Sequence, residues 1–131
     1  MASIVFDSYL HDSLSGDTKV LEDDLMCALM TSSYSPDTSD TVFDDTYEVS
    51  GTGYTAGGKG ITGKTVVDGT LRVSPVTWPA SSITARWAVI YNSSNSNRLI
   101  AAIDFETDRR SLSSSFTVNW TASGLLRHRS S

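Results

Sequence analysis

A chain of 131 residues has room for one hydrophobic core, and a net charge of −5 from ten basic and fifteen acidic side chains is the wrong sign for coating a phosphate backbone. Apolar residues make up 39% and charged residues 19%, a balance that can bury a core and excludes wholesale disorder. No run approaches the ~20 apolar residues of a membrane span, and 37 Ser and Thr residues compete with helix, so a β- and loop-rich domain is expected.

The opening MASIVFDSYLHD has no basic stretch ahead of an apolar one, which reads as a chain made and kept in a cytoplasm. Val5, Phe6, Tyr9, Leu10 and Leu14 recur at spacings of three and four before Gly16, predicting one short amphipathic helix from about Val5 to Ser15. The run Leu25-Met26-Cys27-Ala28-Leu29-Met30, bounded by Asp23-Asp24 and Thr31-Ser32-Ser33, predicts a strand buried on both faces. Cys27 is the single cysteine, so no intrachain disulfide forms, and it reads as a small buried hydrophobe.

From Ser35 to Gly63 the composition turns to Ser, Thr, Asp and Gly, which predicts a long irregular excursion containing turns with positive φ. Thr65-Val66-Val67, Asp68-Gly69 and Leu71-Arg72-Val73 then spell a tight hairpin. Thr84 to Tyr91 and Leu99 to Phe105 alternate with period two around the polar loop Asn92 to Asn97, and Phe116, Val118 and Trp120 repeat the alternation. About seven short strands and one helix predict a single antiparallel β-sandwich, jelly-roll-like, over residues 1–131, with a long loop at about 35–63 and a short basic tail at 127–131. Arg127 to Arg129 read as a frayed, solvated terminus.

Gly58-Lys59-Gly60-Ile61-Thr62-Gly63-Lys64-Thr65 matches the phosphate-loop pattern G-x-x-x-x-G-K-[ST] literally. Its context is wrong. A phosphate loop follows a buried strand and opens a helix, whereas Ser50 to Gly57 is polar and Thr65-Val66-Val67 is β-branched. The motif is therefore expected to be a glycine-rich loop feeding a strand.

His11 and His128 sit near opposite ends of the chain and no serine lies in a G-x-S-x-G elbow, so a hydrolase triad has no support. Asp23, Asp24, Asp37, Asp40, Asp44 and Asp45 lack the spacing of a Ca²⁺ loop and read as solvated loop charge. No catalytic, cofactor-binding or metal-binding residue is assigned. The sequons at Asn92 and Asn119 matter only in a secretory pathway. Trp87 and Trp120 fall on apolar phases and are expected in the core, while Trp78, between Thr77 and Pro79, is expected at the surface.

Three stretches carry a resemblance: Thr31 to Asp37, Glu48-Val49-Ser50-Gly51-Thr52-Gly53-Tyr54-Thr55-Ala56-Gly57-Gly58, and Ala85-Arg86-Trp87-Ala88-Val89-Ile90-Tyr91. Together with Leu99 to Phe105 and Phe116 to Leu126, they resemble a family of small virion structural proteins of tailed bacteriophages, over residues 3 to 126, with Glu48 to Gly58 the distinctive part. The resemblance implies a non-enzymatic virion component without cofactors, above all a capsid decoration (cement) protein bound to the outside of the major capsid protein. It further implies a homo-oligomer, taken as a trimer, with no nucleic-acid or membrane partner, assembled in the host cytoplasm. The free N-terminus or the loop from Gly51 to Gly63 is the expected gripping element. A tail or baseplate component, or a carbohydrate- or receptor-binding module using Trp78 and the tyrosines, is the alternative. An enzyme with a degenerate phosphate loop is more remote. Arg127 to Ser131 run past the family's usual ending.

Overall fold

The computed structural model describes residues 2–16, 23–67, 70–118 and 126–127. In chain order they form β1 (Ala2–Val5), α1 (Asp7–Ser15), β2 (Leu25–Met30), β3 (Lys59–Gly60), β4 (Thr65–Val67), β5 (Thr70–Arg72), β6 (Val76–Ser81), β7 (Thr84–Asn92), β8 (Arg98–Arg110), β9 (Ser114–Val118) and β10 (Leu126–Arg127). Every strand pairing is antiparallel. A five-stranded sheet runs β1-β8-β7-β2-β3, accompanied by β10-β5-β4 and by the pair β6-β9, so the predicted mainly-β, sandwich-like class is what forms.

The helix begins two residues later than its spacing predicts. Val5 is extended and pairs with Ala101, and Phe6 (φ −76°, ψ 145°) is the turning point into α1. Gly16 ends the helix in the left-handed region at φ 86°, donating its N–H to the Asp12 carbonyl. The N-terminal stretch is therefore an edge strand of the main sheet, which corrects the expectation of a free arm.

Period two explains how the main sheet buries both faces. Leu25, Cys27 and Leu29 of β2, with Ala88 and Ile90 of β7, join one cluster with Trp78, Phe116 and Val118 of the β6-β9 pair. The intervening Ala28 and Met30, with Val89 and Tyr91, join Phe6, Leu99 and Ala102 in a second cluster, against which Tyr34, Phe43 and Trp87 pack. The doubly buried reading of β2 holds, and Cys27 is a buried thiol whose pKa burial pushes up to about 12. Among the described residues no second sheet covers the other face. The irregular segment after β2 covers it, stacking Phe43 on Tyr91 at 4.3 Å and setting Tyr34 edge-on to Trp87 at 5.9 Å.

Trp78 overturns its surface assignment. It is only 1% exposed and packs between Tyr54 and Phe116, with ring centroids at 5.8 and 6.3 Å. The sequence misleads here because Pro79 looks like a strand breaker. The register between β6 and β9 slips between Trp78 and Ser81, so exposed Pro79 and Ala80 (φ 50°) form a bulge that needs no ladder hydrogen bond from the proline. Trp87 is half-buried against the second cluster, and Trp120 lies outside the described residues. The hairpin strands β4 and β5 pair Val67 with Thr70, while Asp68-Gly69 lie outside the described residues. Leu126–Arg127 pair with β5 rather than fraying, which corrects the tail assignment up to Arg127.

Helix α1 is fastened to the sheet by polar contacts as well as by Tyr9. Ser8 Oγ donates to the Leu99 carbonyl at 2.9 Å, and the Arg98 guanidinium donates to buried Asp12, which also lies 3.2 Å from His11 Nδ1. Burial pushes the Asp12 carboxyl up, but the hydrogen bonds and charges of Arg98 and His11 outweigh it and hold its pKa below the ordinary value. A carboxyl depressed in the native state contributes stability that is complete above its unfolded value near ~4 and is lost as pH falls through the native value. Asp12→Asn is expected to cost about 2 kcal/mol at neutral pH. It should also flatten part of the acid limb in urea melts collected from neutral pH downward; an unaltered acid limb would remove Asp12 from the account.

Candidate functional site

The segment from Thr31 to Gly58 is irregular, yet hydrogen bonds position it throughout. Thr31 N–H donates to the Tyr47 carbonyl and Val49 N–H to the Leu29 carbonyl, at 2.9 and 3.0 Å, so the stretch around Glu48 continues the edge of the main sheet beside β2. Leu99 N–H donates to Thr41 and Phe43 N–H to Asn97, at 2.8 and 2.9 Å, which lays the middle of the segment along the start of β8. Both flanks of the segment are tied to the sheet.

Glu48 organises the stretch that sequence singles out. Its carboxylate accepts from the Tyr54 hydroxyl and, at 2.8 Å, from the Gly57 N–H. The Tyr54 hydroxyl in turn accepts from the buried Leu29 N–H at 3.0 Å, and the Tyr91 hydroxyl donates to the Gly57 carbonyl at 2.6 Å. Burial, followed by the bond to Glu48, pushes the Tyr54 hydroxyl well above its ordinary pKa. These oxygens are spent on fixing backbone, so the cluster is a brace. Tyr54→Phe leaves the Leu29 N–H buried without its acceptor and is expected to cost about 2 kcal/mol in urea unfolding; a change within about 0.5 kcal/mol, the range of an ordinary surface substitution, would mean that the brace is idle.

Beside the brace lies an open groove of about 590 Å³, lined by Tyr34, Asp40, Val42, Asp44, Tyr47 and Leu99 among others. A second hollow shares Val42 and Asp44 and reaches Asp45 and Glu48. Asp37 and Asp44 are held in place by accepting bonds from Ser39 and Thr46, through both backbone N–H and hydroxyl, and these bonds keep their carboxyls below the ordinary range. The Tyr34 hydroxyl is pushed up to about 12, by burial first and then by the negative charge of Asp40 and Asp44. The groove thus presents fixed negative charge over an apolar floor, with Val42 49% and Tyr47 46% exposed. Chemically it can accept cationic hydrogen-bond donors flanking an apolar group.

The other sequence candidates do not converge there. Lys59 and Gly60 form β3, Lys64 Nζ donates to the Asp23 carbonyl, and Thr65 opens β4, so a strand stands where a phosphate loop needs a helix. Asp23 and Asp24 serve the β7-β8 turn: Asp23 Oδ2 accepts from Asn92 Nδ2 at 2.8 Å, and the Asp24 carbonyl accepts from Ser93. His11 is beside Asp12 on α1, and His128 lies outside the described residues. Among the described residues no three His, Cys, Asp or Glu side chains are grouped as metal ligands, and no helix is long and apolar enough to cross a membrane. With Trp78 buried, a sugar-stacking platform loses its principal ring.

Sequence reasoning missed the groove. The available signal was the interleaving of Tyr34, Phe43 and Tyr47 with Asp37, Asp40, Asp44 and Asp45 in a stretch without period, where rings anchor a loop and leave its acids outward. Comparison of the chain with protein-family models, with curated proteins and with solved structures finds no match in any of the three.

Proposed function

We propose that the chain is a non-enzymatic structural protein of a tailed-bacteriophage virion, and specifically a capsid decoration protein that binds the outer surface of the major capsid protein as a homotrimer. The observation that carries this reading is the Glu48 brace. The stretch on which the family resemblance chiefly rests, Glu48 to Gly58, commits its carboxylate and its tyrosine hydroxyl to holding a loop on the sheet, a mechanical rather than a catalytic use of those groups. A preorganised loop is what an assembly component needs, because ordering it at the moment of contact would subtract from affinity.

The braced loop is the gripping element in this reading. Its outer residues Thr52, Gly53, Thr55 and Ala56 are exposed while Tyr54 anchors it from beneath against Trp78. Bound where capsid subunits meet, such a body stabilises the shell by mass action, since its binding energy is lost when the subunits part. The acidic surface suits a position outside the shell, away from packaged DNA.

The test is to add the purified chain to emptied capsids that lack it, sediment them, and locate it in the particles by cryo-electron microscopy. Saturable co-sedimentation with density on the head exterior is the expected result. Failure to co-sediment, or density confined to the tail, would overturn the decoration role.

A further inference from the structure

Four large apolar side chains are strongly exposed among the described residues: Leu14, Val42, Tyr47 and Leu112. Val42 lines the acidic groove with Tyr47. Leu112, 64% exposed, stands at the tip of the turn between β8 and β9, separated by buried Ser111 from the exposed pair Arg109 and Arg110.

That tip is rigid. Ser111, which is buried, receives the Ile83 N–H on its hydroxyl at 3.3 Å, lies 2.8 Å from the Ser81 hydroxyl and donates its own N–H to the Ile83 carbonyl at 2.9 Å. Ser113 N–H donates to Ser82 Oγ at 2.9 Å, and Leu112 N–H to Ser114 Oγ at 3.3 Å. An exposed leucine on a mobile loop needs no explanation, but one presented on a turn bonded at every residue is preorganised for contact. Asp104 binds Arg86 at 2.7 Å, and Glu106 and Asp108 lie in the field of that same guanidinium, while Arg109 sits over the Phe105 ring at 5.4 Å.

We propose that the chain associates with itself by seating the Leu112 tip of one copy, flanked by Arg109 and Arg110, in the groove formed by Tyr34, Asp40, Val42, Asp44 and Tyr47 of another. The match is in shape and in charge: a single aliphatic knob beside two guanidinium groups meets an apolar floor edged by carboxylates. A second copy is the occupant chosen because this chain itself displays the complementary element, on a turn that needs no rearrangement. The inference rests on the proposed homo-oligomer, for which it names a contact, and stands apart from capsid binding, which the co-sedimentation experiment reads separately.

The test is sedimentation equilibrium of the full chain from about 1 μM to about 1 mM, a range that reports dissociation constants of ordinary transient interfaces. Self-association is expected, weakened at least about tenfold by Leu112→Ser at the knob or by Val42→Ser in the groove, both exposed positions whose folding circular dichroism checks. The paired change Arg109→Gln/Arg110→Gln and the change Asp44→Asn, which retains a turn-forming side chain, should each weaken association about tenfold. Combined, they should weaken it far less than the hundredfold of independent sites. A wild type that stays monomeric at about 1 mM overturns the proposal, as does insensitivity to Leu112→Ser or to Val42→Ser in a folded variant, or full additivity of the charge changes. A monomer that instead binds a synthetic Arg-Arg-Ser-Leu peptide in the groove assigns it to a foreign basic segment, and also overturns the second copy.

Discussion

Gly58→Ala is expected to destabilise the chain by about 4 kcal/mol, enough to remove most of the stability of a small domain. Gly58 has φ 84°, in the left-handed region, and a Cβ built there would fall 1.9 Å from the Cys27 carbonyl oxygen and 2.8 Å from the Ala28 Cα. Both are backbone atoms of β2, which is paired on both sides, so no flexible side chain can give way. The left-handed conformation alone costs an alanine about 1 kcal/mol; the rest comes from displacing strand from strand. Gly60→Ala is the control, because its Cβ meets nothing within 4 Å and its φ is not in the left-handed region. Urea melts of the two variants should differ by several kcal/mol. Equal stabilities would mean that the loop rides above β2 and is not pressed on it.

Trp78→Ala ranks second. The side chain is among the largest that are fully buried, and its loss opens a cavity between Tyr54 and Phe116 worth about 4 kcal/mol. Trp78→Phe separates packing from polarity. The indole Nε1 is buried without a hydrogen-bond partner among the described residues, so phenylalanine forfeits volume but none of their hydrogen bonds and also relieves the desolvated N–H. Its expected cost is about 1–2 kcal/mol, measured by the same melts. A Phe variant as unstable as the Ala variant would show that the indole N–H has a partner after all, and that Trp78 is held by polarity as well as by its ring.

Much of this fold was legible. Trp87, Val89 and Tyr91 alternate with Ala88 and Ile90, and Asn92 to Asn97 are polar throughout, so β7, its turn and β8 announce themselves locally. The run Leu25 to Met30 has no alternation because both its faces are covered, and it was legible for that reason. Elements whose partners lie far along the chain were not. Nothing local says that Ile4 and Val5 are extended, since their strand exists only because Ala101 and Ala102 lie alongside. Trp78 reads as a surface residue in the sequence because the bulge that accommodates Pro79 is set by the register of β9. The site was less legible still. That Asp40, Val42, Asp44 and Tyr47 share a groove depends on two rings, Tyr34 and Phe43, finding Trp87 and Tyr91 on a sheet face that the sequence alone does not leave open.

The pairing of β1 with β8 also sets the order of events at the ribosome. Val5 emerges with no partner until Ala101 has been polymerised, an interval of roughly 5–20 s at translation rates of about 5–20 residues per second. Throughout that interval the nascent segment carries an open backbone edge, and the sheet closes late. Biogenesis of this protein should therefore be post-translational at its decisive step, and sensitive to holdase chaperones that shield the amino-terminal strand while the rest is made.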